Sequence, residues 1–444
     1  MSSSHGKKFL RALLFCTILF LPTQLGRHFW PSFSLVDGIR IDYLSPTLYV
    51  TDILIVLLFI VWSLSCFSKL RIGNQESGIG RKRNSLIYNS LFIILFLSIC
   101  IGIISSLSPT AGFYKFIKIL EFVFFGFMVA KNINIKKDFI IVASLFTAGI
   151  IFESALAIWQ FVNQSSIGGI FWFFGERTFS GQTVGIANAN INGQLILRPY
   201  GTFPHPNVLA GYLVIVMTLI ISNIKYQISN IKKWLLIFSL IAGTIALLLT
   251  LSRVAIVVWL LVMGSWFIAT FRKKFIIYHL SFIIFLIVGS ILLSPLPSRF
   301  ASITTVDKES FVLRQQLNNS AIEMFKQSPI LGVGLNNFLV NLPRYQKPQA
   351  GPLFLQPVHN IYLLILAETG IVGFVFLLWF ISKTYKRITI HKRSFPFSNE
   401  KRNSLFIILS SVLFLGLFDH YFLTLQQGQL LLALVFGLCW TKEA

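Results

Sequence analysis

Residues 234–251 read WLLIFSLIAGTIALLLTL, and after Ser252-Arg253 the chain continues VAIVVWLLVMGSWFIATF over 254–271. Neither run contains a charged residue, and each is close to the ~20 apolar residues a helix needs to cross a bilayer. Runs of this length recur along the whole chain, too long and too numerous for a soluble core. The sequence therefore predicts about twelve spans, near 9–26, 47–67, 85–107, 113–130, 138–162, 207–223, 234–251, 254–271, 275–293, 359–381, 404–418 and 424–440. The expected fold class is all-α, a single polytopic membrane domain over 1–444.

Composition supports this class. Of 444 residues 55% are hydrophobic and only 12% charged, which is membrane-like usage. Lys and Arg (38) outnumber Asp and Glu (15), but no nucleic-acid-binding motif accompanies them. If the N-terminus is cytoplasmic, every short inward segment is basic, from Lys7-Lys8 through Arg71, Lys82, Lys136, Lys232 and Arg272 to the stretch Lys383–Arg402. This is positive-inside orientation, with both termini inside. Lys7-Lys8 ahead of an apolar run could begin a signal peptide, but no small-residue cleavage site follows, so the first span reads as retained. Cys16, Cys66, Cys100 and Cys439 all lie in apolar runs and suggest neither disulfides nor zinc.

Two outward loops are long. The first, 163–206, holds the cluster Phe171-Trp172-Phe173-Phe174, placed by its rings at the headgroup level. The second, 294–358, is bounded by prolines. Between them Phe311, Leu313, Leu317, Ala321, Ile322, Met324 and Phe325 have helical spacing, which predicts an amphipathic helix over about Ser310–Gln327 lying on the bundle.

Four basic positions share the outer side: Arg198, Arg253, Arg314 and His359. An arginine pinned between two spans, as Arg253 is, is costly unless it meets an anion or a carboxylate; the bland alternative is an anchor snorkelling to lipid phosphates. Arg314 has a solvated loop arginine as its alternative, and His359 an interfacial helix cap. Eleven residues separate His359 from Gly370, three helical turns, so both fall on one face. There Gly370 and Gly373 would let a neighbouring helix approach closely. Glu368, deep in the same span, needs a partner that the sequence does not name. No Asp-x-Asp pair, His/Cys cluster or Walker loop is present, which leaves metal-diphosphate and ATP-hydrolysing mechanisms without residues.

Taken in order, RPYGTFPHPN (198–207), Ser252-Arg253, Arg314, Gly332-Val333-Gly334 and His359-Asn360 with Gly370 and Gly373 resemble the O-antigen ligase and polymerase superfamily. The similarity covers most of 195–380. That resemblance implies glycan transfer from an undecaprenyl-diphosphate carrier to an acceptor hydroxyl, a glycan or a lipid core, on the outer face of the plasma membrane, without nucleotide, metal or other cofactor. It implies that Arg253 and Arg314 hold the diphosphate and that His359 activates the acceptor, with Arg198, His205, Asn207 and Asn360 as substrate-binding positions. The chemistry is consistent: fixed guanidinium forks match phosphate oxygens, and an alcohol benefits from an imidazole base. Two alternatives stand beside it. One is a polyprenyl-monophosphate-sugar glycosyltransferase with Asp37 or Asp42 as base; the other is a polysaccharide or lipid transporter, disfavoured by the absence of a visible internal repeat and by the few charges within spans.

Overall fold

The computed structural model describes residues 3–70, 82–191, 193–221, 230–270, 305–346, 354–389 and 399–441. The described residues are mostly helical, with three two-stranded antiparallel sheets among them. In chain order the helices are α1 (Ser3–Leu19), α2 (Val50–Leu70), α3 (Lys82–Ile104), α4 (Pro109–Asn132), α5 (Ile135–Asn163), α6 (Pro206–Ile221), α7 (Asn230–Leu249) and α8 (Arg253–Thr270). They continue with α9 (Thr305–Gln327), α10 (Phe338–Asn341), α11 (Ile361–Thr389), α12 (Asn399–Leu415), α13 (Tyr421–Thr424) and α14 (Gln426–Cys439). Helices occupy every expected span except 275–293, which lies outside the described residues, as do parts of the 294–358 loop. Ile140–Asn163 within α5 and Ile361–Thr389 are long and apolar enough to cross a membrane. The other apolar helices are shorter, among them Pro206–Ile221, Lys233–Leu249 and Arg253–Trp266.

Helix α6 is the hub. Nearly every residue from Val208 to Ile221 is buried, and α5, α7, α8, α12 and α14 pack around it. Because α6 is enclosed on all sides, the residues at its N-terminus are carried to the centre of one end of the bundle. Large apolar side chains remain exposed on the peripheral helices α2, α3 and α4, among them Phe59, Phe92 and Val123, as helices facing lipid would have them. On the inner faces close approach replaces bulk. A Cβ on Gly126 of α4 would lie 3.0 Å from the Ala433 carbonyl of α14, and one on Gly437 of α14 would lie 2.7 Å from the Gly126 carbonyl, so these two helices meet backbone to backbone.

Charges inside the bundle are paired. Lys118 reaches Asp52 at 2.8 Å and Glu121 at 2.7 Å, and Gln426 donates to the same Asp52 carboxylate, joining α2, α4 and α14. Lys115 donates to Gln429 Oε1 at 2.8 Å and to the Leu423 carbonyl. Arg11 pairs with Asp138 to tie α1 to α5.

The amphipathic segment forms α9, somewhat longer than expected. Leu317, Ala321 and Met324 are buried along one stripe, whereas Phe311 and Ile322 stay exposed. Gly370 differs from its expected role. Its φ of 60° breaks α11, and the chain that comes close is the 328–337 segment rather than another helix, since a Cβ on Gly370 would lie 2.3 Å from the Ile330 carbonyl. Val333 N and Gly334 N donate to the Ala367 and Glu368 carbonyls, and Ile371 N to Pro329 O, so the intruding segment satisfies backbone groups that the break leaves open. A Cβ on Gly373 would instead strike the side chain of Thr369, in its own helix, at 2.0 Å. Glu368 finds its partner here, accepting the Phe338 N–H at 3.3 Å.

Candidate active site at one end of the bundle

The RPYGTFPHPN segment is clamped by α5 before it delivers its side chains. Gln160 Oε1 accepts the Tyr200 and Gly201 N–H groups at 2.9 and 2.8 Å, and its amide nitrogen donates to the Gly201 carbonyl at 3.0 Å and to Glu176 at 2.8 Å. Glu153 accepts the Thr202 N–H at 2.9 Å and the Thr202 hydroxyl at 2.6 Å. Gly201 is left-handed (φ 58°) and packs so tightly that an added Cβ would lie 2.3 Å from Glu153. With its backbone groups satisfied by buried side chains, this turn is a fixed platform.

From that platform Arg198 donates Nε–H to the Thr250 carbonyl at 2.7 Å and an Nη–H to Asn207 Oδ1 at 2.6 Å. Thr250 closes α7, Leu251 turns the corner with φ of 53°, and Arg253 opens α8, so Arg198 is fastened to the corner that presents Arg253. Asn207, one residue into α6, passes the connection on: its amide donates to Asp419 Oδ2 at 3.0 Å. Asp419 also accepts the His420 N–H at 2.8 Å. His359 Nδ1 lies 3.6 Å from Asp419 Oδ1, an ion-pair separation too long for a hydrogen bond.

Two local features bring His359 and Asp419 together. Ile361 N donates to the Gly416 carbonyl at 2.8 Å, which docks the start of α11 on the end of α12. Asn360 caps α11 through Oδ1, taking the Tyr362 and Leu363 N–H groups at 2.9 and 3.0 Å, and its nitrogen donates to Leu417 O at 3.2 Å. Asn360 therefore has a structural task in setting the angle of His359. The His359 and His420 rings lie 5.0 Å apart, and Tyr43 meets His420 edge-on at 5.3 Å.

The electrostatics reflect enclosure. Burial, helped by the Arg198 charge, pushes the His205 imidazole down to about 3, and His205 Nδ1 accepts the Asn207 N–H at 3.1 Å. Burial likewise pushes His420 down to about 3 against the pull of Asp419. For Asp419 burial acts the other way, but His359, with His420 and His205, outweighs it and holds the carboxyl well below the usual carboxylate range. Arg314 on α9 adds a smaller push in the same direction on both His205 and His420. The structure thus gathers Arg198, His205, Asn207 and His359 around Asp419, with Arg253 at the adjoining corner and the Arg314 charge within electrostatic reach.

Beside this centre lies a cavity of about 800 Å³, lined by Tyr43, Tyr114, Trp172, Tyr200, His205 and Gln429 among others. Asp42 lines it too, whereas Asp37 (φ 49°) with Gly38 (φ 80°) forms the tight turn of the hairpin Leu35–Val36/Ile39–Arg40. Aromatic faces mixed with amides and hydroxyls suit a polar, ring-shaped ligand.

Sequence reasoning missed Asp419, His420, Gln160 and the clamping role of Glu153. A signal existed for the first: Asp419 is the one charged residue between Asn403 and Thr441, set between two apolar runs. The family model described as O-antigen ligase matches residues 236–378, a stretch containing Arg253, Arg314 and His359. No curated protein matches the chain.

Proposed function

We propose that this chain, which carries an O-antigen ligase domain over residues 236–378, transfers a glycan from an undecaprenyl-diphosphate carrier to an acceptor hydroxyl at the outer face of the plasma membrane. The match to that family model supports reading the chain as a membrane protein of polysaccharide biosynthesis that works on lipid-linked glycan and acceptor. The carrier, the twelve-span topology with both termini cytoplasmic, and the residue roles are our reading. The observation that carries it is the line from Arg198 through Asn207 and Asp419 to His359, which links an imidazole to the same carboxylate that Arg198 reaches through Asn207.

In the reaction the acceptor O–H gives its proton to His359 Nε2 as the oxygen attacks the anomeric carbon. The bond from that carbon to the diphosphate oxygen breaks, and undecaprenyl diphosphate departs with the bonding pair. Arg253 and Arg314, with Arg198 at the same corner, neutralise the charge that grows on it; guanidinium groups suit this because they stay charged and grip phosphate through two parallel donors. Asp419, 3.6 Å from His359 Nδ1, stabilises the imidazolium as it forms, as a carboxylate does beside a catalytic histidine in acyl transfer. The same centre serves a ligase, whose acceptor is a lipid core, or a polymerase, whose acceptor is another repeat unit.

Purified protein in lipid nanodiscs, given undecaprenyl-diphosphate glycan and acceptor without nucleotide, should release undecaprenyl diphosphate and lengthen or modify the acceptor in equal amounts. Release of the carrier with no glycan on any acceptor would reject transfer. The monophosphate-sugar alternative requires Asp37 or Asp42 as base. Asp37 is committed to a hairpin turn, and Asp42 belongs to the cavity wall, so neither is fastened to the arginine cluster as His359 is.

A further inference from the structure

The sequence has no local metal motif, yet folding brings ligand atoms of His359, Asp419 and His420 to within 4.8 Å of one another. We propose that these three residues form a binding site for a borderline-soft divalent cation, Zn²⁺ above all, and that its occupation switches off the base His359. The second half of this inference rests on the transfer reading above; the first half does not.

Three observations support the site. First, His359 Nδ1 is buried and makes no hydrogen bond, and its 3.6 Å separation from Asp419 Oδ1 is too wide for one. Two ligands on a tetrahedral zinc, each at ~2.1 Å, lie about 3.4 Å apart, so the gap that fails as a hydrogen bond fits a bridging cation. Second, His420 is oriented as metal-binding histidines are. Its Nδ1 lies 2.6 Å from Thr424 Oγ1, and that hydroxyl is 3.1 Å from the His420 carbonyl. With the hydroxyl's one proton given to the carbonyl, the imidazole proton sits on Nδ1 and the Nε2 lone pair is free to bind. A ring N–H held by an oxygen is the usual support for a metal-bound histidine. Third, Asp419 is braced by Asn207 at 3.0 Å, a second supporting contact of the same kind.

Three protein ligands leave a fourth position for water or substrate. Inhibition follows from tautomers. A cation on His359 Nδ1 displaces that nitrogen's proton to Nε2, with no net proton released, and an Nε2–H cannot accept the acceptor's proton. A cation on Nε2 blocks the base directly.

Full-length protein in nanodiscs, freed of metal with a chelator, is titrated with Co²⁺ and then with Zn²⁺. The expected result is one Co²⁺ per chain with visible ligand-field absorption that Zn²⁺ displaces. Asp419→Asn and His420→Gln should each abolish the band. Thr424→Val, a milder change that keeps all three ligands, should weaken affinity by roughly tenfold or more, the scale of supporting residues. Zn²⁺ should stop transfer by wild type, and chelator should restore it. Absence of a Co²⁺ band in folded wild type, or a band that survives in both ligand variants, overturns the site. Stoichiometric binding that leaves transfer untouched overturns the inhibition. If metal-free wild type transfers no glycan while Co²⁺ binds wild type and not the variants, the transfer reading falls and the metal site stands.

Discussion

Replacing Asp419 by Asn removes one charge and almost no volume, so it isolates what the carboxylate does for His359. When His359 accepts the acceptor's proton it becomes an imidazolium 3.6 Å from Asp419. Two unit charges at that distance attract by about 4–5 kcal/mol at an effective dielectric of ~20, which is roughly three decades in rate. The amide also fits the hydrogen bonds poorly. Asp419 accepts from both Asn207 and His420 N, and an asparagine has one acceptor oxygen, so one donor would face an NH₂ group. The expected outcome is a fall in kcat of about 10²–10³-fold with little change in KM for the donor, because the arginines are untouched. Steady-state transfer with varied donor at saturating acceptor, on protein whose folding is checked by size exclusion and melting temperature, separates the two parameters. A kcat within about threefold of wild type would refute the electrostatic argument.

Arg253→Ala and Arg314→Ala should raise KM for the diphosphate-linked donor, and Lys at either position should restore only part of the loss, since it lacks the two-pronged grip; unchanged donor saturation in both alanine variants would make these arginines lipid anchors. Gln160→Leu leaves the buried Tyr200 and Gly201 N–H groups without an acceptor, at about 1–3 kcal/mol each, so both melting temperature and kcat should drop. Retention of both values would mean that the clamp does not hold the arginine platform. His205 gives a pH dependence: its folded value of about 3 lies below its ordinary 6.5, so the fold favours the neutral ring. Its contribution is fully present above pH 6.5 and lost as pH falls toward 3. Melting temperature should decline over that window, and more gently in His205→Gln; parallel curves would show that His205 is not the source.

What the sequence revealed follows from which forces act locally. Apolar run length is a local property and is sufficient to place the helices, because a buried or lipid-facing helix must be apolar over its whole length. The small sheets escaped because strands of two to four residues, such as Gly26–His28 and Thr47–Tyr49, are shorter than any periodicity can resolve. Helical spacing put Gly370 on the face of His359, but spacing assumes an unbroken helix, and the φ of 60° at Gly370 ends that assumption where the 328–337 segment intrudes. Arginines and a histidine at the ends of apolar runs stood out because charge beside a span is expensive. Gln160 and Glu153 did not stand out, since each reads as an isolated polar residue in an apolar helix until its partner, more than one element away in sequence, packs onto it. Asp419 was legible as a lone charge, and only its distance from His359 shows its purpose.

The central claim is that His359 removes the acceptor's proton. The most direct measurement is single-turnover transfer by His359→Ala in nanodiscs, with donor binding measured on the same sample. The account predicts donor affinity close to wild type and a transfer rate lower by about 10²–10⁴-fold. Wild-type transfer at matched protein would contradict it and return the search for a base to Asp37 and Asp42.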